Sequence, residues 1–213
     1  MESCSVITGT LALILVLPIN SALWATSPTD PDSNQQASDA GSPPAKTTLA
    51  DVTYAQVEPS DSFAQFEQSA FVIAYPANWK ASGDGTAFRI APAEGASQEL
   101  IAYGVVIATA PSSGSPTDAT QALIQTLEKS NPGMHALDDP RKIRVGKVRG
   151  REVNLAGNSP VQRNGQPLPE HDWLVTLPRP QGDMLYLVFI APEGDFSQLR
   201  STYQKMLNSV QVK

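Results

Sequence analysis

The chain has 213 residues, of which 15 are Lys or Arg, 21 are Asp or Glu, two are His and one is Cys, and its formal net charge is −6. A chain of this length has room for one sizeable core, so a two-domain enzyme is not expected. The acidic balance argues against general nucleic-acid binding. One Cys and two His exclude a disulfide framework and a zinc site made from Cys and His, and no cofactor is predicted.

Residues 1–25 are predicted to be a signal peptide. Residues 3–29 carry no charge, and the apolar run at 11–17 is much shorter than the roughly 20 residues that cross a bilayer. The segment before this run has no Lys or Arg, which is atypical for a signal peptide, so an uncleaved anchor stays open as the alternative. We expect cleavage after Ala25, no stable membrane insertion afterwards, and an extracytoplasmic location, either periplasmic or secreted.

Residues 26–60 are predicted to be a disordered, acidic linker rich in Pro and Ser. The segment has almost no large apolar side chains before Leu49, so it buries too little apolar surface to offset its chain entropy. Local ordering is expected near Val52-Thr53-Tyr54. Five acidic residues against Lys46 give the linker a net charge of −4, which leaves residues 61–213 close to neutral.

Residues 61–213 are predicted to form one α+β domain. Short apolar and β-branched runs end at Pro or Gly from Phe71 onward, as is typical of strands separated by turns. The run at 185–190 is apolar at every position, so we expect a central strand that is covered on both faces. Strands are predicted at 71–75, 87–91, 100–110, 143–145, 153–155, 173–177 and 184–190, with turns at 82–85 and 178–183.

Two helices are predicted to flank the sheet. Ser115 and Pro116, with Asp118 three residues after the serine, are typical of a helix start, and Asn131-Pro132-Gly133 ends this helix. The second helix is predicted to be capped by Asp195. Its apolar residues at helical spacing are Phe196, Leu199, Tyr203, Met206, Leu207 and Val210. A central antiparallel sheet flanked by helices, an α/β/α sandwich, is therefore the predicted fold.

No catalytic motif is recognised in the sequence. It contains no His-Glu-x-x-His spacing, nucleophile elbow, phosphate loop or dinucleotide fingerprint. His171-Asp172 is more typical of a solvated strand edge than of a metal site, and Asp138-Asp139-Pro140 is more typical of a turn than of a carboxylate dyad. We therefore predict no catalytic, metal-binding or cofactor-binding residue, and the protein is not expected to be an enzyme.

The most distinctive charged feature is a run of six cations within residues 141–151, with no acidic residue before Glu152. Apolar residues alternate with the cations through the first half of the run, and Gly146 and Gly150 allow a turn or a bulge, so the run is predicted to present its cations on one face of a strand pair. We name this surface the basic ribbon. Its candidate partner-binding residues are Lys142, Arg144, Lys147, Arg149 and Arg151.

Two interpretations of the basic ribbon stay open. It is either an acceptor for an acidic surface, on a partner or on the chain's own linker, or a solvated edge that charge protects from aggregation. Nucleic acid is not the expected partner, because no aromatic residues interleave with the cations.

A further pattern is the order of several short motifs between residues 63 and 213. They are Tyr75-Pro76-Ala77-Asn78-Trp79-Lys80, the helix after Ser115-Pro116, a turn at Asn158-Ser159-Pro160, Asp172-Trp173-Leu174-Val175-Thr176, and the strand at 185–190 followed by Ala191-Pro192-Glu193 and a helix bearing Phe and Tyr. In this order they resemble the bacterial PsbP-like domain of the Mog/PsbP type, in particular the versions at the C-terminus of exported HExxH zinc metallopeptidases.

The resemblance implies an α/β/α sandwich that is generally non-catalytic and serves as an assembly or partner-binding module. This chain carries neither the zinc helix nor the membrane segments of the peptidase half, so neither proteolytic activity nor any functional residue is carried over.

We therefore predict an exported, non-enzymatic binding or assembly module that acts through protein contacts, with an envelope metallopeptidase as one candidate partner. The alternative is a periplasmic small-molecule or lipid carrier, in which Trp and Tyr side chains line a cleft between sheet and helices. An unrecognised hydrolase is the third hypothesis.

Overall fold

The computed structural model describes residues 49–50, 52–85, 87–97 and 100–213. The predicted signal peptide and most of the predicted linker lie outside these residues. The first elements are β1 (Leu49–Ala50), α1 (Tyr54–Val57), β2 (Phe63–Glu67), β3 (Phe71–Pro76), β4 (Lys80–Asp84), β5 (Ala87–Ala91) and β6 (Gly104–Pro111). They are followed by α2 (Pro116–Ser130), β7 (His135–Ala136), β8 (Arg141–Val145), β9 (Val148–Arg163), β10 (Gln166–Pro178), β11 (Asp183–Pro192), α3 (Glu193–Asn208) and β12 (Gln211–Val212).

Nine of the described strands form one sheet. Its order is β1, β9, β10, β11, β6, β5 and β4, and β7 and β8 also pair with β9. All of these pairs are antiparallel except β1 with β9. A smaller antiparallel sheet has the order β12, β3 and β2.

The main sheet is covered on both faces, and β11 lies at its centre as the all-apolar pattern predicts. Leu187 and Phe189 pack in a core with α3 and the smaller sheet. Tyr186 and Val188, which alternate with them, pack in a second core with α2. The predicted α+β sandwich, with an antiparallel sheet and flanking helices, is confirmed.

Both predicted helices are present, and α3 buries its predicted apolar face. Ser115 precedes α2 and forms a capping box with Asp118, in which the Asp118 N–H donates to Ser115 Oγ at 3.2 Å and the Ser115 N–H donates to Asp118 Oδ2 at 3.0 Å. The helix α3 begins at Glu193, earlier than predicted, because Pro192 stands at its N-cap position and Asp195 lies inside the first turn.

Some predicted boundaries are wrong. The predicted turn at 82–85 belongs largely to β4, where Ser82 pairs with Arg89 of β5. The predicted turn Asn158-Ser159-Pro160 lies inside β9, which runs unbroken over 16 residues with a shift of register opposite Pro167 and Pro169.

Within the segment 26–60, the chain is ordered near Val52-Thr53-Tyr54, as expected, and the described structure continues from there through residue 60. Val52 and Val57, in and beside α1, are buried in the α3-side core, and β1 pairs with β9. Burial of these two side chains offsets the ordering entropy of a segment whose composition is otherwise polar.

Candidate functional site

The basic ribbon is a hairpin made of β8 and the start of β9. Ile143 and Val148 pack toward the α3-side core, so alternation along each strand puts Lys142, Arg144 and Arg149 on the opposite, α2-side face. These three side chains are exposed. The described hairpin therefore presents these cations on one face of a strand pair, as predicted.

The register of the hairpin brings like charges directly opposite each other. Lys142 pairs with Arg151, and Arg144 pairs with Arg149. Like charges at directly opposed positions destabilise a strand pair. Lys147 adds a further exposed cation at the turn between the strands. The ribbon thus concentrates positive charge at a position where opposed cations cost stability.

Little negative charge lies against these cations in the described part of the chain. The ion pair at this hairpin joins Arg141 Nη2 to Asp138 Oδ2 at 3.3 Å. In the strand register Arg141 lies opposite Glu152, on the other face of the hairpin. Within the described residues, Lys142, Arg144, Lys147 and Arg149 form no ion pair. Their charge is available to an external acidic group.

Arg151 differs from the other ribbon residues because the fold already employs it. Its side chain is half-buried, and Nε donates to Oγ1 of Thr117, in the first turn of α2, at 2.9 Å. A second bond runs from Arg151 Nη1 to the Gly150 carbonyl at 3.0 Å. Arg151 therefore fastens the start of α2 to β9, and its contribution to partner binding cannot be tested apart from that role.

The two glycines of the ribbon have different roles. Gly146 has a φ of +56° and forms the hairpin turn, as predicted. Gly150 forms neither a turn nor a bulge; it lies in β9, in regular register with Ile143 of β8. A Cβ at Gly150 would collide with the Thr176 carbonyl oxygen of β10, so the close approach of two strands accounts for this glycine.

His171 and Asp172 cannot act as one site, because neighbouring residues of a strand point to opposite faces. His171 stacks on Phe196 of α3 with ring centroids 4.0 Å apart, and its Nε2 lies 3.1 Å from Asn154 Oδ1. Burial is the main cause that lowers the His171 pKa. The solvated-edge interpretation of the pair is wrong, since Asp172 is fully buried.

The structure has a pair of buried carboxyl groups that was not predicted from the sequence. Glu170 and Asp172 are two residues apart on β10, so they share a face, and Glu170 is only 9% exposed. The apolar residues on both faces of the following stretch, 173–177, indicate a strand covered on both sides. Continued back by one residue, this pattern predicts that Asp172 is buried.

This carboxyl pair does not have the character of an accessible catalytic dyad. Burial is the main cause of the raised pKa of both groups, and the neighbouring Asp172 charge raises the Glu170 pKa further. Raised pKa values are common in active sites. Here, however, the burial that produces them also keeps a substrate from Asp172.

Within the described residues, Trp79, Trp173 and Tyr203, which the carrier hypothesis would place along a cleft, lie in the core. Trp79 packs edge-on against Tyr203 with centroids 6.2 Å apart, and Trp173 packs against Phe189 at 5.2 Å. Arg200 covers Trp173 from outside, with Cζ 5.5 Å from the ring centroid. These residues fill the interior between sheet and α3, so they do not support a ligand cleft there.

In the described ranges, no group of three or more His, Cys, Asp or Glu side chains is arranged to hold a metal ion. The same ranges contain no helix with the length and apolar character needed to cross a membrane.

No protein-family model matches the chain, and no curated protein matches it. Several solved structures resemble it in fold. PsbP of the cyanobacterium Synechocystis sp. PCC 6803 has a TM-score of 0.49 and 10% identity, and the match covers 73% of this chain and 95% of that one.

Two further similar structures come from other organisms. The Ran-binding protein Mog1p of Saccharomyces cerevisiae has a TM-score of 0.48 and 10% identity over 72% of this chain and 96% of that one. LpqN of Mycobacterium tuberculosis, involved in cell envelope biogenesis, has a TM-score of 0.45 and 14% identity over 71% of this chain and 91% of that one. PsbP and Mog proteins are thus among the structures of similar fold. Identity and scores this low bear on neither activity nor partner.

Proposed function

We propose that the protein is an exported, non-enzymatic binding module that holds an acidic surface of a protein partner on the basic ribbon. The observation that carries the proposal is the hairpin register, which opposes Lys142 to Arg151 and Arg144 to Arg149. A solvated edge could be protected by alternating charges, whereas two opposed pairs of cations cost stability without an anion beside them.

The rest of the proposed function follows from the sequence. The leader, which has no charged side chain after Glu2 and contains a short apolar run, supports export to the periplasm or the medium. The resemblance to PsbP-like domains of exported metallopeptidases makes an envelope peptidase one candidate partner. Electrostatic capture of this kind acts mainly on the rate of association and weakens as salt screens the charges.

Cross-linking in the native envelope, followed by mass spectrometry, tests this proposal. We expect cross-links from Lys142 and Lys147 to one partner, and we expect low-salt capture of that partner to fall when four ribbon cations are replaced by Ser. The variant changes Lys142, Arg144, Lys147 and Arg149 and keeps Arg151, because Arg151 bonds to α2.

A matched control removes the same charge elsewhere. Four exposed cations outside the ribbon are replaced by Ser in the control variant, namely Lys80, Lys129, Arg163 and Lys205. Capture should persist in this control. If the ribbon variant captures the partner as the wild type does at low salt, or if both variants lose capture equally, the ribbon is not the binding surface.

A further inference from the structure

The buried carboxyl pair, Glu170 and Asp172, is the least explained feature of the described structure. Both oxygens of Asp172 and one of Glu170, Oε2, are buried without a hydrogen-bond partner. Buried polar atoms are nearly always bonded, and an exception in a native structure calls for a bound water, an ion or a functional role. Two ionised carboxylates would face a large desolvation cost at this position.

In the part of the chain that the structure describes, no cation neutralises the pair. On β9, the Ser159 side chain partly offsets the raised pKa of Glu170, and on β11 the residues opposite the pair are Ile190 and Pro192. The titratable group that approaches from α3 is the hydroxyl of Tyr203, which donates to the Ile190 carbonyl at 2.6 Å. Among the described residues, neither carboxyl forms an ion pair.

The position of α2 does not compensate either. The chain leaves α2 and enters β7, which pairs with β9 at Ala156 and Leu155, the residues opposite His171 and Asp172. The carbonyl end of α2 therefore lies at the same end of the sheet as the pair. A helix C-terminus carries partial negative charge and disfavours nearby carboxylates.

A proton suits this site better than a metal ion. A hard cation such as Ca²⁺ takes about six to eight oxygen ligands, and the described residues place no third carboxylate or His with these two. A proton needs no additional ligand and removes the charge that burial penalises.

We propose that the folded domain retains a proton on the Glu170–Asp172 pair at neutral pH, and that this pair makes the fold more stable in acid and less stable in alkali. A carboxylate held in an ion pair has the opposite effect, because it makes the fold less stable in acid. The inference concerns the fold itself and does not depend on the basic ribbon.

The sign follows from the direction of the shifts. Burial holds the pKa of both carboxyls above their usual range, so the folded chain keeps protons that the unfolded chain has already released. Stability is then highest below the ordinary pKa of about 4 and falls as the pH rises through the raised values. Within that window, a rise of one pH unit lowers the folding equilibrium constant about tenfold for each retained proton.

The test is urea unfolding of the full chain from pH 5 to pH 9, for the wild type and for Glu170→Gln, Asp172→Asn and the double variant. We expect wild-type stability to decline with pH by up to about tenfold in the folding constant per unit, and we expect the variants to have flatter profiles. Asp61→Asn, which removes an exposed carboxyl, is the control and should keep the wild-type slope.

A direct readout keeps the test valid if Asp172→Asn does not fold. Infrared difference spectra of the wild type at pH 7 should show the C=O band of a protonated carboxylic acid, and Glu170→Gln should shift or remove it. Absence of this band, or a wild-type slope unchanged in both variants, would overturn the proposal. So would stabilisation of the wild type by added Ca²⁺ at pH 7 that the Glu170→Gln variant lacks, because a metal would then occupy the site.

Discussion

Gly150 shows how one residue allows the basic ribbon to join the main sheet. It faces the core between Arg149 and Arg151, where an added Cβ would meet the Thr176 carbonyl of β10 and the Leu177 side chain. A β-carbon there would have to push the backbone of a central strand, which packed interiors resist. The cations on either side are thus held in register by a residue without a side chain.

We expect Gly150→Ala to destabilise the fold by about 3 kcal/mol, because the new methyl group would displace backbone rather than a flexible side chain. Urea unfolding of the full chain measures the effect. The matched control is Gly157→Ala in the same strand, where the nearest atom to an added Cβ is Glu170 Oε1 at an ordinary 3.6 Å. Equal effects in the two variants would show that strand propensity, not the close approach, sets the cost.

For single residues, the sequence allowed charged and turn residues to be identified, but not how deeply each is buried. The five cations of the basic ribbon could be identified from their run, and Gly146 from its place between two strand halves. For Asp172 the one local signal of burial lies in the following stretch, 173–177, which is apolar on both faces because β9 and β11 pair on either side of β10. Its partner Glu170 carried no local signal at all.

The helix α2 shows how an element is positioned by its ends. Its capping box satisfies N–H groups that the first turn leaves without partners, and the next turn contacts the sheet through Thr120, whose Oγ1 lies 2.8 Å from Thr176 Oγ1. Thr117 in the first turn accepts the bond from Arg151. The start of α2 and the ribbon are therefore coupled.

Ser115→Ala should lower the free energy of unfolding by about 1 kcal/mol, since it removes the side-chain acceptor of the cap. Ser113→Ala, an exposed substitution in the same loop, is the control and should be close to neutral. Hydrogen exchange should localise the loss in the Ser115 variant to the first turn of α2. Uniform loosening of α3 instead would contradict the assignment of this cap to α2.

Elements with a strong local pattern could be predicted, whereas those defined by distant partners could not. The cap at Ser115 and helical spacing indicated α2, helical spacing indicated α3, and the continuous apolar run indicated β11. The strands β1 and β12 have two residues each and exist only because β9 and β3 pair with them. The full length of β9 was missed because Gly157, Asn158 and Pro160 are typical of a turn, yet pairing with β10 overrides that preference.

At the scale of the whole molecule, one sheet separates two cores. The α3-side core includes Trp79, Trp173 and Leu207, and the α2-side core includes Leu127 and Leu155. Every residue of β11 from Met184 to Ala191 is buried in one core or the other. Neither helix can leave without exposing a face of the same central strands, so we expect the two cores to unfold together.

Paired core substitutions test this cooperation. Leu127→Ala on the α2 side and Leu207→Ala on the α3 side each truncate a fully buried side chain and should cost about 2–5 kcal/mol. In a Trp24→Phe background, fluorescence of Trp79 and Trp173 reports the α3 side, while far-UV circular dichroism reports the whole domain. The two signals should give the same urea midpoint in both variants. If Leu127→Ala lowers the dichroism midpoint and leaves the fluorescence midpoint in place, the α2 side unfolds by itself, and the sheet does not bind the two layers into one cooperative unit.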